Sequence, residues 1–226
     1  MPQHMDHYQI SSRNLYESAH KLRETTGLGF YDGGFFAGNG MANKIFPLGK
    51  GTFIEINGIV DPGKVVAKVP NTMKFYDRTE AGDCFSLMCM RTDTMDELRA
   101  IATRLGSTVS PNPVQRTRPN GPPVQAYTAP QGAQRGPNKM TWYCHESRQY
   151  MHPSGQPVFN WPNCVEPQGI AYLELGGTEQ AMSEWIGEPV SNFPAYKFFP
   201  DRPEGLYAIG VNTSKGIKEI RLPWRV

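Results

Sequence analysis

Glu55 is the side chain in this sequence whose surroundings most demand a chemical explanation. It sits in Phe53-Ile54-Glu55-Ile56, an otherwise apolar run. A carboxylate taken out of water is costly unless it is paired or bound to something. The plain alternative is that Glu55 faces solvent on the polar side of an alternating strand. Cys144-His145 is a second candidate, because an imidazole beside a thiol can lower its pKa and make it a nucleophile. Neighbours on a strand point to opposite faces, however, which argues against that pairing. His4 and His20 read as surface residues. The four cysteines, Cys84, Cys89, Cys144 and Cys164, form no CxxC pair, which excludes a zinc ribbon or a thioredoxin-type motif and leaves reduced, buried thiols. Gly33-Gly34 and Gly38-Asn39-Gly40 lack the Lys-Ser/Thr that would make them a phosphate loop.

These residues need elements to hold them. Residues 7–11 alternate and predict a strand. Leu15, Ala19 and Leu22 then recur at helical spacing, with Asn14 or Ser18 as cap and Gly27 as the stop. Two strands follow, on either side of a glycine-rich turn, and residues 52–57 form a third, rich in β-branched and aromatic side chains. The order is β-α-β-β-β. It recurs from residue 84: a strand over 84–90, a helix capped by Thr92 or Asp93 and ended by Gly106, strands at 114–118 and 124–128 about a Pro-Asn-Gly-Pro-Pro turn, a Gly/Pro-rich loop over 130–138, and a last strand over 140–145. A third pass runs from Gly169 to Leu222. The expected division is a first module at 1–65, a second at 80–150, a connecting segment at 151–168 and a third, C-terminal module at 169–226. The fold class is α+β.

Composition narrows the function. The chain has 226 residues, enough to bury a core. Its 23 glycines and 20 prolines favour short strands joined by turns over long helices. A net charge of +2 with no Lys/Arg run offers nucleic acid no basic patch. No apolar run approaches the ~18 residues of a membrane span. The polar N-terminus has no signal core, so the expected location is cytoplasmic.

Several segments resemble one known group. Asp6-His7-Tyr8-Gln9-Ile10 before a helix is similar to the opening strand of vicinal-oxygen-chelate proteins. Residues 46–56, Phe-Pro-Leu-Gly-Lys-Gly-Thr-Phe-Ile-Glu-Ile, resemble a stretch of their glyoxalase-like branch. So do Met90-Arg91-Thr92-Asp93, Arg116-Thr117-Arg118-Pro119-Asn120-Gly121, His152-Pro153-Ser154-Gly155, and Pro203-Glu204-Gly205-Leu206 with Ser214-Lys215-Gly216-Ile217. The likeness covers about residues 6 to 222, and the joint order carries it. It implies paired βαβββ modules whose curled sheets share a cleft.

Members that use a metal place ligands on the first and fourth strands of each module. By that resemblance His7 and Glu55 are the first module's pair, with Glu55 also catalytic. The second module offers Cys84 or Phe85 on its first strand and Cys144 or His145 on its fourth. His145 completes a two-His, one-carboxylate set and is the second catalytic candidate, with His152 in reserve. In the third unit Glu219 falls where Glu55 does, but Gly169 stands in place of His7. Asn43, Arg116, Trp142 and Tyr143 are candidate substrate-binding residues in a mainly apolar pocket.

The function this implies is a lyase or isomerase acting on a small oxygen-rich substrate. A divalent Fe, Mn, Zn or Ni ion would chelate neighbouring oxygens and stabilise an enediolate. With iron, ring-cleaving dioxygenation is the variant. A metal-free binding or resistance protein is the alternative, and an enzyme using Cys144 a third. The expected partners are a small-molecule substrate and, through an exposed sheet edge, a second copy in a homodimer. Neither nucleic acid nor membrane is expected.

Overall fold

The computed structural model describes residues 4–36, 38–66, 75, 77–119, 123–131, 140–145, 153, 158, 162–192 and 195–222. The tip of the expected 119–123 turn, most of the 130–138 loop, and His152 lie outside them.

The first module runs β1 (His4–Ser12), α1 (Leu15–Thr26), β2 (Tyr31–Phe36), β3 (Met41–Gly49) and β4 (Thr52–Ile59), followed by the short α2 (Pro62–Val66). Local chemistry sets the limits of α1. The Asn14 side chain accepts the Glu17 N–H at 3.2 Å, and Gly27 adopts φ 77° at the C-cap, where a side chain would be strained. Leu15, Ala19 and Leu22 are the buried stripe.

The second module runs β5 (Cys84–Thr92), α3 (Met95–Arg104), β6 (Val114–Arg116), β7 (Val124–Ala129) and β8 (Met140–His145). The cap of α3 is Thr94, not Thr92 or Asp93. Thr94 and Glu97 form a reciprocal capping box, a Thr-x-x-Glu signature that outweighs the earlier residues.

The two modules form one eight-stranded sheet in the order β2-β3-β4-β1-β5-β8-β7-β6. They meet where β1 and β5 run antiparallel. The sheet curls until its edges touch: Phe35 and Thr117 exchange backbone hydrogen bonds of 2.8 and 2.9 Å. Gly34 permits this seam, since it adopts a positive φ and a Cβ there would overlap the Thr117 carbonyl.

Alternation then divides the residues between two faces. Tyr8, Ile10, Phe46, Leu48, Ile54, Ile56, Met88, Met90 and Trp142 join the main core with residues of α1 and α3. Ile45, Phe53 and Cys89 are buried but stand outside that core, on the inner face.

A four-stranded sheet follows, from β9 (Pro167–Gly176), α4 (Glu179–Ile186), β10 (Tyr196–Phe199), β11 (Gly205–Thr213) and β12 (Lys218–Arg221). The β-α-β-β-β order recurs here as the sequence pattern predicts. Its pairing differs. The order is β10-β9-β11-β12, so the last strand joins β11, whereas in the first two modules the last strand lies beside the first. Leu173, Leu175, Ile186, Ile209 and Val211 extend the shared core. Arg104 at the end of α3 ties the units together. Its guanidinium donates to the carbonyls of Glu184, Trp185 and Ile186 at 3.1, 2.8 and 2.9 Å, satisfying the end of α4. Among the described residues, no helix is long and apolar enough to cross a membrane.

Candidate active site

Glu55 projects from β4 onto the inner face of the curled sheet and is almost wholly buried, at 7% exposure. It is not on a solvent face. Four neighbours explain how a carboxylate persists there. The Asn43 amide donates to Oε1. The Gln9 amide donates to Oε2 at 3.2 Å. Arg116 brings Nη1 to 3.6 Å from Oε1, and His7 brings Nε2 to 3.5 Å from Oε2. They come from three strands: β1 for His7 and Gln9, β3 for Asn43 and β6 for Arg116.

The strand geometry makes this cluster. In the parallel β1–β4 ladder Gln9 pairs with Glu55 and His7 with Phe53. In the β3–β4 ladder Asn43 pairs with Asn57, two positions from Glu55 on the same face. Gly33 leaves the space Asn43 occupies, because a Cβ at Gly33 would overlap the Asn43 amide oxygen. Arg116 enters from the far edge of the sheet, carried in by the Phe35–Thr117 seam.

His7 is fixed from behind. Its Nδ1 lies 2.7 Å from Asp6 Oδ2, and Arg91 Nη1 stands 3.7 Å from the other Asp6 oxygen. The ring stacks on Phe53 at 4.7 Å and meets Tyr143 edge-on at 5.2 Å. Burial alone would push the imidazole pKa down. Cys89, its cross-strand partner, and Asp6 outweigh it, so His7 titrates well above the ordinary histidine range. The Nδ1 edge of the ring faces Asp6, and the Nε2 edge faces Glu55 and the cleft. Tyr31 lines the same region. Burial is the main cause that lifts its phenol to about 12; Arg116 and Arg118 oppose the rise and Glu55 adds to it.

The structure brings together five of the sequence-predicted residues: His7, Glu55, Asn43, Arg116 and Tyr143. Two others lie elsewhere. Trp142 belongs to the outer-face core, fully buried with its ring 6.4 Å from Trp185, so it does not line the cleft. His145 shares the inner face with Tyr143 but is four residues past Thr141, the position level with Cys89, or roughly 13 Å along the strand. Cys144 also packs in the core, and burial raises its thiol pKa, which disfavours a nucleophile. All four cysteines are free. Glu219 is on the exposed side of the C-terminal sheet, bonded to Tyr172 and Arg221.

The register also corrects the equivalence between modules. His7 stands seven residues before the cap Asn14; seven before the cap Thr94 is Leu87, not Cys84 or Phe85. Two further on, Gln9 pairs with Glu55; the matching Cys89 pairs with Thr141, not with Cys144 or His145. The second module thus presents Leu87 and Thr141 where the first presents His7 and Glu55. Residues missed by sequence reasoning were Asp6, Gln9 and Tyr31. Asp6 was visible beside His7, but nothing in the sequence showed that β1 bends there.

A divalent ion fits this donor set poorly. Among the described residues, no three His, Cys, Asp or Glu side chains are grouped as metal ligands. Both Glu55 oxygens already accept amide hydrogens. An ion on Glu55 would stand a few ångström from the Arg116 guanidinium, a like-charge contact that costs several kcal/mol.

The model of the glyoxalase-like domain matches residues 5–183. The chain belongs to the glyoxalase-like domain family. The chain is similar to solved structures at low identity. A hypothetical protein from Staphylococcus aureus is 13% identical, with a TM-score of 0.59 over 97% of this chain and 86% of that one. Methylmalonyl-CoA epimerase from Mycobacterium tuberculosis is 14% identical, with a TM-score of 0.46 over 63% of this chain and 86% of that one. No curated protein matches the chain. Family membership and the likeness to the Staphylococcus aureus protein carry the fold; the chemistry of this family member must be argued from its cleft.

Proposed function

We propose that the cleft is the active site of a lyase- or isomerase-type enzyme that moves a proton on a small, oxygen-rich organic substrate. The observation that carries this reading is Glu55, a buried carboxylate held between the Arg116 guanidinium at 3.6 Å and the His7 imidazole at 3.5 Å. Glu55 is the base. Gln9 and Asn43 fix its plane, each donating an amide hydrogen to one carboxylate oxygen. A proton taken from carbon next to a carbonyl leaves negative charge on the carbonyl oxygen. His7, protonated and oriented by Asp6, donates to that oxygen through Nε2. Phe53 and Tyr143 wall the imidazole from water, which strengthens both interactions. No step of this chemistry is assigned to a metal, because the donor set does not suit one.

The test is isotope exchange. Wild-type protein is incubated in D2O with a panel of small α-hydroxy ketones, α-hydroxy aldehydes and 2-keto acids, and loss of the C–H signal adjacent to the carbonyl is followed by proton NMR. Exchange should occur on at least one compound and fall by about 10²–10⁴ in Glu55→Gln. Exchange on none, with saturable binding of a panel member, supports the second reading instead: a metal-free small-molecule binding protein. The observation favouring that reading is the pair Leu87 and Thr141 in the second module, which contributes no ionisable group at the positions matching His7 and Glu55.

A further inference from the structure

Besides His7 Nε2, the cleft holds three polar atoms that nothing among the described residues satisfies. Arg116 Nε, Asn43 Oδ1 and Asn57 Oδ1 are all buried without a hydrogen-bond partner. Their residues are 8%, 2% and 5% exposed. Buried donors and acceptors in folded proteins are nearly always paired, with protein, ordered water or a bound group. The three belong to one site. Asn43 and Asn57 pair across β3 and β4, and Arg116 and Asn43 both meet Glu55 Oε1.

The set has a definite chemical complement. Arg116 offers a guanidinium N–H and a full positive charge. It suits the oxygens of a carboxylate, which a planar guanidinium recognises better than a point charge does. Asn43 Oδ1 and Asn57 Oδ1 are acceptors, so the same ligand must bring a hydroxyl hydrogen. In a fold whose metal-using members spread ligands over both modules, this chain places Leu87 and Thr141 in the second module and a fixed cation on the seam instead.

We infer that this cleft recognises a small 2-hydroxy carboxylate directly through Arg116, the guanidinium supplying the positive charge that a divalent ion would otherwise bring. The inference rests on the cleft assigned above but names its ligand, and binding tests it independently of turnover. Arg116 takes the carboxylate, and the hydroxyl donates its single hydrogen to the unpartnered amide oxygen of Asn43 or of Asn57. Glu55, beside the bound acid, faces the carbon that carries the hydroxyl.

The experiment measures binding of lactate, and of lactamide as its neutral counterpart, to chelator-treated full-length protein by ligand-observed NMR. Lactate should bind without added metal, and lactamide at least about tenfold more weakly. Arg116→Gln should weaken lactate by about tenfold or more, and Arg116→Lys by less, since the charge remains and the fork is lost. Circular dichroism and melting curves of Arg116→Lys guard against misfolding as the cause. His145→Ala should leave binding unchanged. The inference is overturned if lactate fails to bind the chelator-treated protein, if binding requires added Zn²⁺ or Mn²⁺, or if folded Arg116→Gln binds lactate as wild type does. Loss of isotope exchange with Arg116-dependent binding intact would instead count against the enzymatic reading alone.

Discussion

Arg116 reaches Glu55 from the edge strand β6, its Nη1 3.6 Å from Oε1, although four strands separate β6 from β4 in the sheet order. The contact exists because the sheet closes at Phe35–Thr117, one residue from Gly34 and one from Arg116. Fold closure and site assembly are therefore the same event.

Gly34→Ala should test that link. A Cβ at Gly34 overlaps the Thr117 carbonyl and crowds the Arg116 side chain, and the backbone there has φ 147°. The expected loss is about 1–3 kcal/mol, seen as a fall of roughly 2–4 °C in Tm per kcal/mol. Gly38→Ala is the control, since nothing lies within 4 Å of a Cβ there. Equal melting temperatures for the two variants would show that the seam does not depend on Gly34.

Gly33→Ala should act on the site more than on the fold. The added methyl displaces the Asn43 amide that holds Glu55 Oε1. Ligand binding or exchange should drop by about tenfold or more, the equivalent of one charge-assisted hydrogen bond. A crystal structure of Gly33→Ala with Asn43 still on Glu55 would contradict this.

The electrostatics of His7 predict a pH dependence of stability. Its pKa in the folded protein is raised well above the unfolded value of about 6.5. A raised pKa means the folded state binds the proton more tightly. The stabilisation is complete below about pH 6.5 and is lost as pH rises through the folded pKa. Denaturant unfolding should show wild type losing more stability than His7→Gln between pH 6 and pH 9. Parallel curves for the two proteins would remove His7 as the source.

Arg104→Ala should loosen the C-terminal sheet. Three carbonyls at the end of α4 lose their donor, at a cost of about 1–2 kcal/mol. Arg104→Lys should recover only part of this, because an ammonium cannot span all three. Amide exchange that speeds up in α4 but not in β1 would confirm the local character; uniform acceleration would not.

Particular residues show what was legible in the sequence. The β-α-β-β-β order of the first module could be read because Asn14 and Gly27 punctuate helix α1 with side-chain and backbone chemistry that is local. Glu55 stood out as a polar group in an apolar strand, whereas His7 was reached through the family resemblance. The second module was misjudged because its ligand positions depend on ladder register. Taking Cys144 or His145 as the counterpart of Glu55 overshot Thr141 by three or four residues, and no local signal fixes that count. Trp142 was misplaced by the same mechanism: one step along β8 separates the cleft from the core. The pairing of β12 with β11 was invisible because strand order in a sheet is set by long-range packing.

The most direct test of the account is proton exchange by chelator-stripped protein, comparing wild type with Glu55→Gln. The account predicts that stripped wild type exchanges the α C–H of a responsive panel compound at an undiminished rate, and that Glu55→Gln loses about 10²–10⁴ of it. Exchange that vanishes on stripping and returns with a divalent ion, or that survives in Glu55→Gln, would contradict it.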